Sequence, residues 1–306
     1  MAKKIGNKKH EQFFGMEKKM KKLILICVVV VLFMVAGQGF GIDFNDGGIH
    51  SINYSEGNVY VDNGTPGMYT KVNLLNGGYI HKFFAYQDSR INISGGRVGL
   101  SLVAYDRTQV IMTDGQIWYL DAYDSSQATM SGGTATGDLI AKGSSHVTMS
   151  GGTATGDLIA KGSSHVTMSG VTVMGYLEAG DSSHVTMSGG SVLGMSVSNS
   201  SQVTISGGTI GSDGFLELVA SGNGKLIING SNFAIDGISL GFGEITSIFG
   251  GVYENEPYRR LTGTLANGDI INNRFQIGNN AKIVLIPEPA TIALLFLGGL
   301  VFRKKH

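Results

Sequence analysis

Three histidines recur at one interval along the chain: His146, His165 and His184, nineteen residues apart. Imidazole ligates transition metals and changes charge near pH 6. If the segments carrying these residues lie side by side as strands, adjacent rings sit about 5 Å apart on one face. Gln109, Gln127 and Gln202 continue the same column. No carboxylate repeats beside it at ligand spacing. A duplicated unit that copies its exposed residue therefore accounts for the histidines without a metal, and no cofactor is expected. A second recurrent set is acidic: Asp88, Asp106, Asp124 and Asp181, with Asn199 at the corresponding place. Grouped on one corner, Asp88, Asp106 and Asp124 could hold calcium weakly, but Asp and Asn beside Ser also cap their own turns. A third set, Thr129, Thr148, Thr167, Thr186 and Thr204, stands two residues after the Gln/His column.

The elements that carry these residues are tandem copies. Residues 132–150 and 151–169 are identical, and two perfect copies mark a structural module. A looser form extends further. The residue before the Gly-Gly or its equivalent is Asn76, Ser94, Thr113, Ser131, Ser150, Ser169, Ser188 and Ser206, in steps of 18 or 19. Asp114-Gly115 and Gly170-Val171 are the departures from Gly-Gly. Within a unit, apolar Val147 and Met149 alternate with polar His146 and Thr148, the period of a strand with one buried face. After the Gly turn a second strand carries Val98, Leu100, Leu102 and Ala104 in one unit and Val173, Leu177 and Ala179 in another. A polar corner closes the unit.

One such coil cannot bury its apolar face alone, whereas stacked coils can. The expected fold is therefore all-β: a parallel β-helix or solenoid of about eight 18–19-residue coils, about 34 Å from first to last. Its inward columns would be Val110, Ala128, Val147, Val166, Val185 and Val203, and Met112, Met130, Met149, Met168, Met187 and Ile205. A β-sandwich is the competing reading, and the regular period argues against it. The coil length resembles that of filamentous haemagglutinin-type adhesins. The expected organisation is a signal peptide over 1–41, an N-terminal β cap over 42–70, solenoid repeats over 71–214, an irregular β cap over 215–286 and a tail over 287–306.

Composition narrows the function classes. The chain carries 47 Gly and 4 Pro in 306 residues and no formal net charge, but charge is unevenly placed. Residues 1–22 hold eight Lys against Glu11 and Glu17, while 42–286 holds 12 basic and 20 acidic residues. An acidic body argues against nucleic-acid binding, which uses a basic face. Cys27, the one cysteine, lies in the first apolar run, so the body has no thiol for a disulfide, metal or nucleophile. The Thr column resembles half of the paired Thr ranks of ice-binding solenoids, with His or Gln in place of the second rank. Gly132-Gly133 to Asp138 departs from the calcium-binding glycine-rich nonapeptide: Ala135 occupies a required Gly, and the Asp falls one place late. Solenoid lyases and hydrolases build clefts from loop insertions, and no unit before 206 carries one. The expectation is a protein that is not an enzyme. Glu244, Glu254, Glu256, Arg259 and Arg260 in the aperiodic region are the candidates for a carbohydrate-active or carbohydrate-binding alternative.

Both ends read as addresses. Lys18-Lys19-Met20-Lys21-Lys22 precedes thirteen apolar residues, Leu23 to Val35, and then Ala36, Gly37, Gly39 and Gly41. That is the order of a secretory signal, and it implies the Sec export machinery. An uncleaved anchor is the competing reading, and Met1, Met16 or Met20 could each begin the chain. The C-terminus reads Pro287-Glu288-Pro289, thirteen residues from Ala290 to Phe302, then Arg303, Lys304 and Lys305. A helix can start at Pro289 and run roughly 20 Å, short of a hydrocarbon core of about 30 Å. The basic residues would hold it at the cytoplasmic face as a membrane stop.

Pro287-Glu288-Pro289, the apolar helix and the closing Arg-Lys cluster resemble the PEP-CTERM sorting tail of Gram-negative bacteria. The resemblance covers about 20 residues and leaves the body undefined. It implies an exosortase-type processing enzyme as partner, transient anchoring in the inner membrane through the tail, and display at the cell surface or release into an exopolysaccharide matrix. The expected function is thus that of an exported structural or adhesive protein.

Overall fold

The computed structural model describes residues 41–62, 68–211, 217–246 and 259–288. The signal segment up to residue 40, the tail from Pro289 onward with Arg303, Lys304 and Lys305, and the candidates Glu254 and Glu256 lie outside them. Every regular element among the described residues is a strand, and no helix there is long and apolar enough to cross a membrane. The architecture is a parallel β-solenoid of about nine turns between residues 42 and 228.

The duplicated unit shows why. Its apolar residues are spaced for two short inward-facing strands, and each coil finds its only matching surface in the next coil. His146–Met149 pairs in parallel with Gln127–Met130 on one side and, identical residue opposite identical residue, with His165–Met168 on the other. Leu139–Ala141 lies between Leu120–Ala122 and Leu158–Ala160 in the same way. Thr153–Ala154 lies between Thr134–Ala135 and Thr172–Val173. The interior is therefore built of columns, with Val147, Met149, Ala154, Leu158 and Ala160 all buried. Each fully buried Val, Leu or Met side chain contributes about 1.5–3 kcal/mol, and stacking is what buries it. All the predicted inward Val/Ala and Met/Ile residues are buried.

Two corners turn the chain. At the first, Gly152 has φ +90°, and a Cβ there would lie 2.8 Å from the Gly133 carbonyl oxygen of the preceding coil. Left-handed backbone and close approach together require glycine. Val171, which replaces the second glycine one coil on, is not in the left-handed region and buries its side chain instead. At the second corner one residue per coil is left-handed: Gln87, Asp106, Asp124, Gly143, Gly162, Asp181, Asn199 and Gly222. Most of these are the residue types that tolerate positive φ.

Four expectations need correction. Residues 42–70 are not a separate cap. Ile42–Phe44 pairs in parallel with Val59–Val61, and Ile49–Ile52 with Lys71–Leu74, so the coils begin at 42. Residues 215–286 are only partly irregular. Lys225–Ile228 continues the parallel ladder from Gln202–Ile205, and Lys282–Pro287 continues it again from Lys225–Gly230. The antiparallel strands Arg259–Leu265 and Ile270–Ile277 are inserted between those rungs. Leu100 is only half-buried, because the register shifts between Val98 and Ser101. Asp88 does not share the corner position of Asp106 and Asp124. The left-handed residue in its coil is Gln87, and Asp88 stands one place on, ion-paired with Arg107.

Candidate functional site

Each strand like His146–Met149 turns its first and third residues outward, and in-register stacking makes columns of them. The histidine column extends beyond the three repeats. Lys71 pairs with Arg90, Arg90 with Gln109, Gln109 with Gln127, and Gln127 with His146. At the other end His184 pairs with Gln202, Gln202 with Lys225, and Lys225 with Lys282. The neighbouring outward column runs Asn73, Asn92, Ile111, the five threonines from Thr129 to Thr204, Ile227 and Val284.

The imidazoles stack face to face. His146 and His165 have ring centroids 4.9 Å apart with planes 5° from parallel, and His165 and His184 are 5.2 Å and 9°. One metal ion reaches imidazole nitrogens at about 2 Å, so it spans at most about 4 Å between two of them. Parallel rings at this spacing present a row of separate nitrogens rather than a chelate. Among the described residues no three His, Cys, Asp or Glu side chains are grouped as for a metal.

The corner carboxylates serve the backbone. Asp106 accepts the Gln87 N–H at 2.9 Å, Asp124 the Asp106 N–H at 3.2 Å, and Asp181 the Gly162 N–H at 2.9 Å. Each ties its own corner to that of the preceding coil. The aperiodic candidates are likewise engaged in local pairs: Glu244 with Lys282 at 2.7 Å, Arg259 with Asp236, and Arg260 with the Asn272 side chain at 2.9 Å. The Arg260 backbone N–H and the Arg259 guanidinium hold Asp236 below its ordinary value. Pro287 ends its strand opposite Gly230, and Glu288 accepts the Ser231 hydroxyl at 3.3 Å, so the start of the Pro-Glu-Pro motif lies directly on the body.

Three further features have no counterpart in the sequence reading. Thr70, Ser89, Thr108, Ser126, Ser145, Ser164, Ser183 and Ser201 form a buried hydroxyl column inside the polar corner. The signal was available: each directly precedes the Lys, Arg, Gln or His of the outward column. Tyr86, Tyr105 and Tyr123 stack at 5.2 Å spacing, and burial pushes their phenols up. Their ring faces are turned to one another, leaving edges rather than faces for a sugar. A depression of about 220 Å³ is lined by Met68, Tyr69, Asp88, Arg90, Arg107 and Gln109, with the Arg90 guanidinium 3.6 Å from the Tyr69 ring centroid.

No family model matches the chain, and comparison with curated proteins and with solved structures returns no match.

Proposed function

We propose that the chain is an exported structural and adhesive protein of the cell surface or extracellular matrix, sorted through its C-terminal tail. The observation that carries the adhesive reading is the repetition of identical outward side chains in register over successive coils. A lattice of weak contacts repeated at one spacing binds an extended, repetitive partner by multivalency. The N-terminal Lys-rich and apolar segments support export, and the Pro-Glu-Pro, apolar and Arg-Lys sequence supports processing by an exosortase-type enzyme. Protease shaving of intact cells tests the location. Peptides from 42–286 released into the medium agree with it, and a body protected until the cells are lysed refutes it.

A further inference from the structure

The solenoid body is acidic as a whole, yet its charges are segregated. From Lys71 to Lys282 the histidine column contains no Asp or Glu, and neither does the adjoining Asn/Thr column. One stripe thus presents Lys71 and Arg90 at one end, Lys225 and the Glu244-paired Lys282 at the other, imidazoles in the middle, and amides and hydroxyls between them, interrupted by Ile111, Ile227 and Val284. We infer that this stripe is a binding site for a linear carboxylated polysaccharide, and that acidification strengthens the binding. The inference deepens the adhesive reading and rests on it.

The ligand class follows from the chemistry of the two columns. Lys71, Arg90 and Lys225 supply charge, while Gln, Asn and Thr supply the neutral hydrogen-bonding groups that sugar hydroxyls use. Neither column contains a Phe, Tyr or Trp, and the imidazole faces are turned to one another rather than outward, which disfavours base stacking by single-stranded nucleic acid. The rungs repeat at about 4.8 Å, so an extended polyanion can meet successive rungs with successive charges.

The pH dependence follows from what surrounds the imidazoles. Within the column they are flanked by Gln127 and Gln202, and beside it by Thr148, Thr167 and Thr186. The preceding corners turn Ser144, Ser163 and Ser182 outward, and Lys142 and Lys161 follow the second strand. Asp181 is the carboxylate of those corners and Asp124 stands in the corner one coil before them, each accepting a backbone N–H of the coil that precedes it. Imidazolium groups 4.9 and 5.2 Å apart repel one another. An imidazolium attracts a bound polyanion and a neutral imidazole does not, so binding takes up protons and affinity rises as pH falls. Gln already occupies the column at 109, 127 and 202, so His146→Gln, His165→Gln and His184→Gln together suit the coil.

The test is retention of the full-length chain in detergent on immobilised polygalacturonate, with neutral dextran and duplex DNA as parallel arms. Expected is binding about tenfold or more tighter near pH 5.5 than near pH 7.5, weakened by salt. The triple Gln variant should lose that difference while keeping the wild-type melting curve. Lys225→Gln should weaken binding at both pH values and leave their ratio intact. No binding to polygalacturonate, an unchanged pH ratio in the triple variant, or equal retention on dextran or DNA would each overturn the inference. A failed retention assay with the body still shaved from intact cells removes this ligand and leaves the surface location standing.

Discussion

Two serines in one buried column have different energetics. Ser201 donates its hydroxyl to the Ser198 and Ala179 carbonyls at 2.7 and 2.9 Å. Ser164, equally buried, has no partner for its hydroxyl. Ser201→Ala should therefore lower stability by about 1 kcal/mol, and Ser164→Ala should be neutral or stabilising, because an unmade buried hydrogen bond is itself a cost. Thermal melts of the two variants check this, and equal losses would contradict it. Asp121 poses a related problem with charge. It faces outward between Val103 and Ile140, and one carboxylate oxygen is buried without a partner. Burial pushes its carboxyl above the ordinary value, Lys142 opposes the shift and Asp138 adds to it. A carboxyl whose folded value is raised contributes its stability in full below the unfolded value and loses it as pH rises through the folded value. Asp121→Asn should accordingly raise the melting temperature at neutral pH. The gain should vanish near pH 3, where the wild-type carboxyl is itself protonated.

At the scale of the coil, the element is self-contained because its partners are its immediate neighbours. The strand His165–Met168 pairs only with His146–Met149 and His184–Val192. Deleting residues 151–169 brings chemically equivalent residues into register, so the shortened protein should keep a β-type circular dichroism spectrum and a cooperative melt. A deletion that unfolds the body would show that the coil is not the unit of stability. The same locality explains what could be read from the sequence. Two identical copies fixed the period, and alternation within them identified Val147 and Met149 as core and His146 and Thr148 as surface. Where insertions lengthen a coil the period disappears while the ladder does not. Ile49 still meets Lys71, Gln202 still meets Lys225, and Lys225 still meets Lys282 across an inserted pair of strands. For that reason both ends read as caps, and Lys225 and Lys282 fall off the sequence period although Lys71 and Arg90 keep the nineteen-residue step to Gln109. Asp88 departs from the corner column for a smaller reason: Gln87 takes the left-handed position, against the general preference for Asn, Asp or Gly.

At the scale of the whole molecule, the body and the tail meet without a spacer. Lys282–Pro287 is a full rung of the ladder, hydrogen-bonded in register with Lys225–Gly230 and covered on its other side by Gly243–Ile245. Glu288 still contacts Ser231. An enzyme that grips extended backbone needs an unpaired strand, so cleavage N-terminal to Pro287 would require the last rung to peel away. Beyond Glu288 the sequence offers Pro289, then Ala290 to Phe302, a stretch that as a helix would be short for a bilayer and weakened by Gly298-Gly299. Arg303, Lys304 and Lys305 would halt export at the cytoplasmic face. A substrate for processing suits this arrangement better than a permanent anchor does. In a host with an exosortase-type enzyme, the mature protein should therefore end at or just after the Pro287-Glu288-Pro289 motif and lack Ala290 to His306. Mass spectrometry of the surface and secreted fractions checks the terminus. A protein ending at His306 and held in the inner membrane despite an active enzyme would exclude sorting, and a terminus upstream of Lys282 would show that the last rung opens before cleavage.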